Sequence, residues 1–218
     1  MALLDPVGFD LDEIKGPKRI KKPHIIIRVF SSLFLILFFS ALVFAVINFP
    51  AYLLIYRFKT NPGSVSQAAI PKETEVNQLG DNSLIIPKIG VKTPINWDTP
   101  SGDVMGVLSE KIAHLAGSGK PGENKNIFIT GHSSNYWWRE GGLNTVFALL
   151  PELQEGDEII VTSNGKIFRY LVSEKQEVSP KKAADYFFSD SEQMTLMTCV
   201  PVGTNLKRLL VIAKPVNR

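Results

Sequence analysis

Apolar residues occur along this chain in two different textures. From 29 to 47 the sequence runs VFSSLFLILFFSALVFAVI with no charge in it, close to the roughly 20 residues a helix needs to cross a hydrocarbon core. Its serines suit such a helix, because a hydroxyl can bond back to a carbonyl of the preceding turn. The apolar character continues to Tyr56, with Asn48 and Pro50 as weak breaks. This texture predicts one spanning helix over residues 29–56.

Beyond it the chain turns polar. Residues 60–81 (TNPGSVSQAAIPKETEVNQLGD) carry Pro and Gly and keep no period, the composition of a linker, which is assigned to 57–81. From residue 82 short apolar runs alternate with turn formers: SLIIPKIG, NIFITG, DEIIVTS, KIFRYLVSE, MTLMTC and KRLLVIAK. These read as strands. Asn164-Gly165 between two of them supplies the positive φ of a tight hairpin. Short helices are expected over 103–109 and over 143–150, the second ending at Pro151. The fold class is therefore mainly β, a compact barrel of mostly antiparallel strands with short helices in its connections. With the span subtracted from 218 residues, about one ordinary domain remains, over 82–218.

Charge sets the orientation. Lys15, Lys18, Arg19, Lys21, Lys22 and Arg28 precede the span, against Arg57 and Lys59 after it. This bias keeps residues 1–28 in the cytoplasm and exports the rest, as a single-pass plasma-membrane protein. The long apolar region and the lack of a clear A-x-A site favour an uncleaved anchor over a removed leader. The net charge of +3 owes much to that basic cluster, which suits anionic lipid headgroups. No basic and aromatic strip follows, so no nucleic-acid partner is expected. HExxH, CxxC and P-loop patterns are missing, and Glu152, Glu155, Asp157 and Glu158 read as solvated loop charges. No cofactor or metal is assigned.

Candidate chemistry begins at Cys199, the single cysteine, which has no partner for an internal disulfide and is either buried filler or a nucleophile. It ends the run 194–198 and precedes the turn formers VPVGTN, at a strand end where a substrate can reach it. Arg208 follows at the start of LLVIA. If the two strands pair, its guanidinium lies across from the Cys199 region and can support an oxyanion or hold a substrate backbone; otherwise it is a solvated strand-end charge. A thiol nucleophile needs a group that exchanges protons near neutral pH, and imidazole suits that work. His24 precedes the span. Of the remaining two, His132 in Thr130-Gly131-His132-Ser133 departs from a strand end and is favoured over His114. Tyr136, Trp137 and Trp138 then either wall the site or pack as core.

These residues carry a resemblance. Thr195-Leu196-Met197-Thr198-Cys199 matches the TLxTC signature of sortases, and the arginine after the short loop matches Arg208 in TCVPVGTNLKRLLV. LIIPKIGVKTPI looks like the opening strands of the sortase barrel, and IAHLAGSGKPGENKNIFITGHS looks like the stretch that ends on the catalytic histidine, over roughly 82–215 in all. The resemblance implies an eight-stranded sortase-type β-barrel and a two-step acyl transfer. Cys199 would attack a threonine carbonyl within an LPxTG-like sorting signal of a surface protein, and His132 would protonate the leaving amine. Arg208 would support the oxyanion. The acceptor would be an amine on a cell-wall precursor or a pilin lysine. TCVPVGTNLKRLLV is similar to pilin-polymerising sortases, whereas no Asp-Pro-aromatic lid is evident before residue 82. An extracellular cysteine hydrolase and a non-catalytic peptide-binding module are the other two readings.

Overall fold

The computed structural model describes residues 23–65, 81–136 and 141–216. The basic cluster at 15–22, residues 66–80 of the linker, and Trp137 and Trp138 lie outside the described residues. The chain divides into two compact units, Met1–Leu42 and Val43–Arg218.

One helix, α1 (Pro23–Thr60), contributes to both. Within the first unit its large apolar side chains are exposed, Phe30, Phe34 and Leu37 each by more than three fifths. A helix apolar all round has no core-facing stripe, and α1 is long and apolar enough to cross a membrane. Ser31 Oγ donates back to the Arg28 carbonyl at 2.9 Å, as the serines of the span were expected to do. At its other end α1 runs past Tyr56, into the stretch read from the sequence as linker. Thr60 Oγ1 donates to the Tyr56 carbonyl at 2.9 Å and the Asn61 amide to the Arg57 carbonyl at 2.8 Å. Arg57 and Lys59 face the negative end of the helix dipole. Pro62, which disfavours helical geometry in the residue before it, marks the stop.

The second unit is a closed barrel of eight strands: β1 (Ser83–Ile86), β2 (Val91–Thr99), β3 (Ile112–Leu115), β4 (Asn126–Thr130), β5 (Glu158–Ser163), β6 (Lys166–Val178), β7 (Gln193–Val200) and β8 (Lys207–Pro215). Around the barrel they follow β1-β2-β3-β4-β7-β8-β6-β5. The β2–β3 and β4–β7 joins are parallel and the others antiparallel. The six apolar runs seen in the sequence are β1 and β4 to β8. The β5–β6 hairpin closes on Asn164 and Gly165, with φ of 52° and 70°, in the left-handed region that a two-residue turn requires. Leu84, Ile86, Ile112, Ile127, Ile129, Leu196 and Val211 fill the interior.

The short helix Val104–Val107 falls within the expected 103–109. The second expected helix, over 143–150, does not form. Its amides bond three residues back, Val146 to Leu143 and Ala148 to Thr145, and the 3-10 turn Leu150–Glu152 carries Pro151 inside it. The Phe147 amide donates instead to the His132 carbonyl at 2.8 Å, so it is not available to Leu143, as an α-helix would need.

Candidate active site

The β4 and β7 strands set the site. They run parallel with Thr130 beside Met197, and the contact continues past the end of β4. The Gly131 amide donates to the Met197 carbonyl at 3.2 Å, and buried Thr198 returns its Oγ1 hydrogen to the Gly131 carbonyl at 2.9 Å. Two residues beyond Thr130 is His132 and two beyond Met197 is Cys199, so the same register sets these residues at one level of the barrel. On the other side of β7, Cys199 is the ladder partner of Arg208 on β8. The cross-strand placement anticipated from the spacing is therefore present, and β4, β7 and β8 bring the three sequence-derived candidates to one end of the barrel.

Cys199 and His132 are each half-buried. Asn135 Nδ2 stands 3.5 Å from His132 Nε2. Arg208 Nη1 donates to the carbonyls of Asn205 in the loop and Lys207 at the start of β8, at 3.0 and 3.1 Å, which leaves most of the five-donor guanidinium for other work. Gly131 is required for close approach: a Cβ there would stand 2.6 Å from the Phe147 ring. That ring and the His132 carbonyl bond tie 143–150 beneath the histidine.

The threonines of TLMTC are structural residues of the site that the chemistry alone did not single out. Thr195 Oγ1 donates to Asn126 Oδ1 at 3.0 Å, and Asn126 Nδ2 donates to the Tyr186 carbonyl at 2.7 Å. Thr195 and Thr198 thus stitch β7 to β4, with Leu196 between them in the core. A buried hydroxyl without such a partner would cost about 1–3 kcal/mol. The signal was the signature itself, whose polar positions fall inside an apolar strand.

His114 lies elsewhere, fully buried on β3. Its Nδ1 accepts the Asp98 amide at 3.1 Å, while Nε2 meets the Gly119 carbonyl and Ser118 Oγ, both at 2.8 Å. This network assigns the ring proton to Nε2. Burial, the largest influence, lowers its pKa below 6.5 despite the Gly119 hydrogen bond, so the ring is neutral at pH 7 and the Asp98 carboxylate at 3.7 Å is no ion-pair partner. Asp98 pairs with Lys120 at 2.6 Å. Because the folded-state pKa is lowered, the unfolded chain takes up the proton first as pH falls. Its contribution is complete above about pH 6.5 and is lost on acidification towards the lowered folded value. Acidifying from about pH 7.5 to about pH 5.5 is therefore expected to lower Tm. His114→Asn should lower Tm at neutral pH and flatten that dependence, as followed by calorimetry.

Among the described residues no three His, Cys, Asp or Glu side chains form a metal-binding group. Lys88 pairs with Asp157 at 2.7 Å, Arg169 with Glu158 at 2.5 Å and Lys59 with Glu152 at 3.5 Å.

Comparison with known proteins fits this geometry. The sequence model of the Sortase domain matches residues 84–216, more than half of the chain and all of the eight strands but the first residue of β1. The chain belongs to the sortase family. This sortase is 26% identical over 148 residues to Sortase A of Bacillus anthracis, an alignment covering 67% of this chain and 62% of that protein. It is 29% identical over 137 residues to Sortase D of Bacillus subtilis (strain 168), covering 61% and 62%. The chain thus spans about three fifths of the length of these curated relatives. Among solved structures, the Sortase D5 transpeptidase of Clostridium perfringens is 28% identical with a TM-score of 0.52, over 73% of this chain and 98% of that one. The eight-stranded barrel is the sortase fold that the sequence motifs implied.

Proposed function

We propose that this sortase is a membrane-anchored cysteine transpeptidase working on the outer face of a bacterial plasma membrane, with α1 as the anchor and residues 82–218 as the catalytic domain. The observation that supports the reading is the Cys199–Arg208 ladder pair beside a β4–β7 register that runs to Thr130, two residues before His132. Cys199 Sγ attacks the threonine carbonyl of an LPxTG-like sorting signal, and the peptide C–N bond breaks as His132 protonates the leaving amine. Arg208 donates to the oxyanion, or holds the substrate backbone, as charge develops. An incoming amine then attacks the thioester. Its nitrogen forms the new amide bond, the S–C bond breaks, and His132 takes the released proton. A thioester stays reactive towards amines, so the energy of the cleaved peptide bond passes into the new one. The acceptor is an amine of a cell-wall precursor or a pilin lysine.

The test uses the full chain in detergent, incubated with LPxTG-like peptides with and without triglycine and followed by mass spectrometry. The expected result is an adduct on Cys199 that transfers to the amine. Adducts that only hydrolyse would make the protein a cysteine hydrolase, and no adduct with any peptide would favour a binding module. Arg208→Lys keeps the charge but loses the planar fork. It is expected to lower kcat/KM by about 100-fold with little change in Tm; a fully active variant would reduce Arg208 to a surface charge.

A further inference from the structure

Asn48 interrupts the apolar stretch of α1, and in a membrane segment such a residue calls for a functional explanation. The residue is 4% exposed. Asn48 Nδ2 donates back to the Phe44 carbonyl at 2.9 Å, while its other face lies against Gly203 in the β7–β8 loop. A Cβ on Gly203 would stand 2.5 Å from Asn48 Oδ1. One turn further along α1, Tyr52 Oη donates to the Val202 carbonyl at 3.3 Å. Between them Ala51, 1% exposed, packs in a small cluster with Val202 and Ala148, flanked by Leu54 and Ile55.

Both sides of this contact lead to the site. Val202 and Gly203 belong to the loop joining Cys199 to Arg208. Ala148 follows Phe147, whose amide holds the His132 carbonyl. Residues 48–55 of α1 therefore touch the loop between Cys199 and Arg208 and the 143–150 segment that is bonded to the His132 carbonyl, with small, buried Ala51 between the polar Asn48 and Tyr52. An anchor needed only to tether the enzyme has no use for such contacts.

We propose that Asn48, Ala51 and Tyr52 are positioning residues: the last turns of α1 brace the β7–β8 loop and the 143–150 segment, and so hold Cys199, Arg208 and His132 in mutual register. The inference rests on the site assigned under the proposed function. It makes the helix end part of the catalytic unit, so that tilting or withdrawing α1 disturbs the chemistry without touching a reacting group. Displacements of about 1 Å at a reacting centre cost rate steeply, up to about 100-fold.

The experiment uses the full chain in nanodiscs. Ala51→Phe wedges α1 away from Val202 and Ala148, while Tyr52→Phe removes one hydrogen bond. Gly203→Ala drives a Cβ into Asn48 and is tested alone and with Asn48→Ala. Three quantities are read: kcat and KM for a cleaved peptide, the pH profile of Cys199 alkylation by iodoacetamide, and amide exchange over residues 200–205. Ala51→Phe is expected to lower kcat by about 100-fold, to alter the alkylation profile and to speed exchange in the loop, with the circular dichroism spectrum retained. Gly203→Ala also suffers from its φ of +84°, so the informative comparison is the double variant. Relief of the clash is expected to restore about ten-fold of the loss. Wild-type alkylation and exchange in Ala51→Phe and Tyr52→Phe, together with no recovery in the double variant, would overturn the brace. Alkylation and exchange need no peptide, so they decide the brace even if the wild-type protein cleaves none, a result that would count against the transpeptidase reading alone.

Discussion

Cys199→Ala is expected to eliminate thioacyl-enzyme formation and to leave a folded barrel. The chain has one cysteine, so no second thiol can substitute. The lost atom is a single half-buried sulfur at the end of β7, and the backbone ladder between that position and Arg208 is untouched. A truncation of this size costs about 1 kcal/mol, equivalent to a Tm change of about 2–4 °C for a domain of this length. Intact-mass measurement after incubation with sorting-signal peptides should find no adduct, and peptide cleavage should fall to background. Cleavage at the wild-type rate would remove the thiol from the mechanism altogether.

His132→Ala is the second large effect, and its contrast with His114→Ala is the informative part. A general acid–base group contributes about 10²- to 10⁴-fold, so single-turnover acylation should slow by about 10³-fold, with Tm little changed because the ring is half-exposed. His114→Ala should reverse the pattern. Truncating that ring strands the Asp98 amide and the Gly119 carbonyl, each at about 1–3 kcal/mol if left unpaired, and lowers Tm while the remaining folded protein keeps most of its acylation rate. If acylation instead collapses in His114→Ala and survives in His132→Ala, the proton-transfer assignment moves to the buried ring.

Much of this architecture was visible in the pattern of residues, and the exceptions have physical causes. The strands β5 to β8 announced themselves because each holds a sustained apolar run bounded by turn formers. β2 was harder to read. Val91, Thr93 and Ile95 alternate inward with Lys92 and Pro94 outward, but a proline within the run and a threonine at an interior position weaken the signal. β3 has only four residues, Ile112–Leu115, too few to display a period. For 143–150 the local sequence favoured a helix, and a single long-range bond to the His132 carbonyl overrode it. The candidate site was more legible than its support. Cys199, His132 and Arg208 stand out by residue type, whereas the contribution of Asn48 and Ala51 depends on what the chain brings against them from distant segments, which no local pattern carries.

The β5–β6 hairpin has a practical consequence. Val178, at the far end of β6, is the ladder partner of Arg208, so the Asn164-Gly165 tip is separated from the Cys199 and Arg208 end of the barrel by the 13 residues of that strand, a path of about 40 Å. A Cβ added at Gly165 would meet no other atom within 4 Å, although its φ still favours glycine. Lys166 beside it is exposed. A fluorophore, an affinity handle or a surface tether attached at Lys166 would report on or immobilise the protein while leaving Cys199 unobstructed.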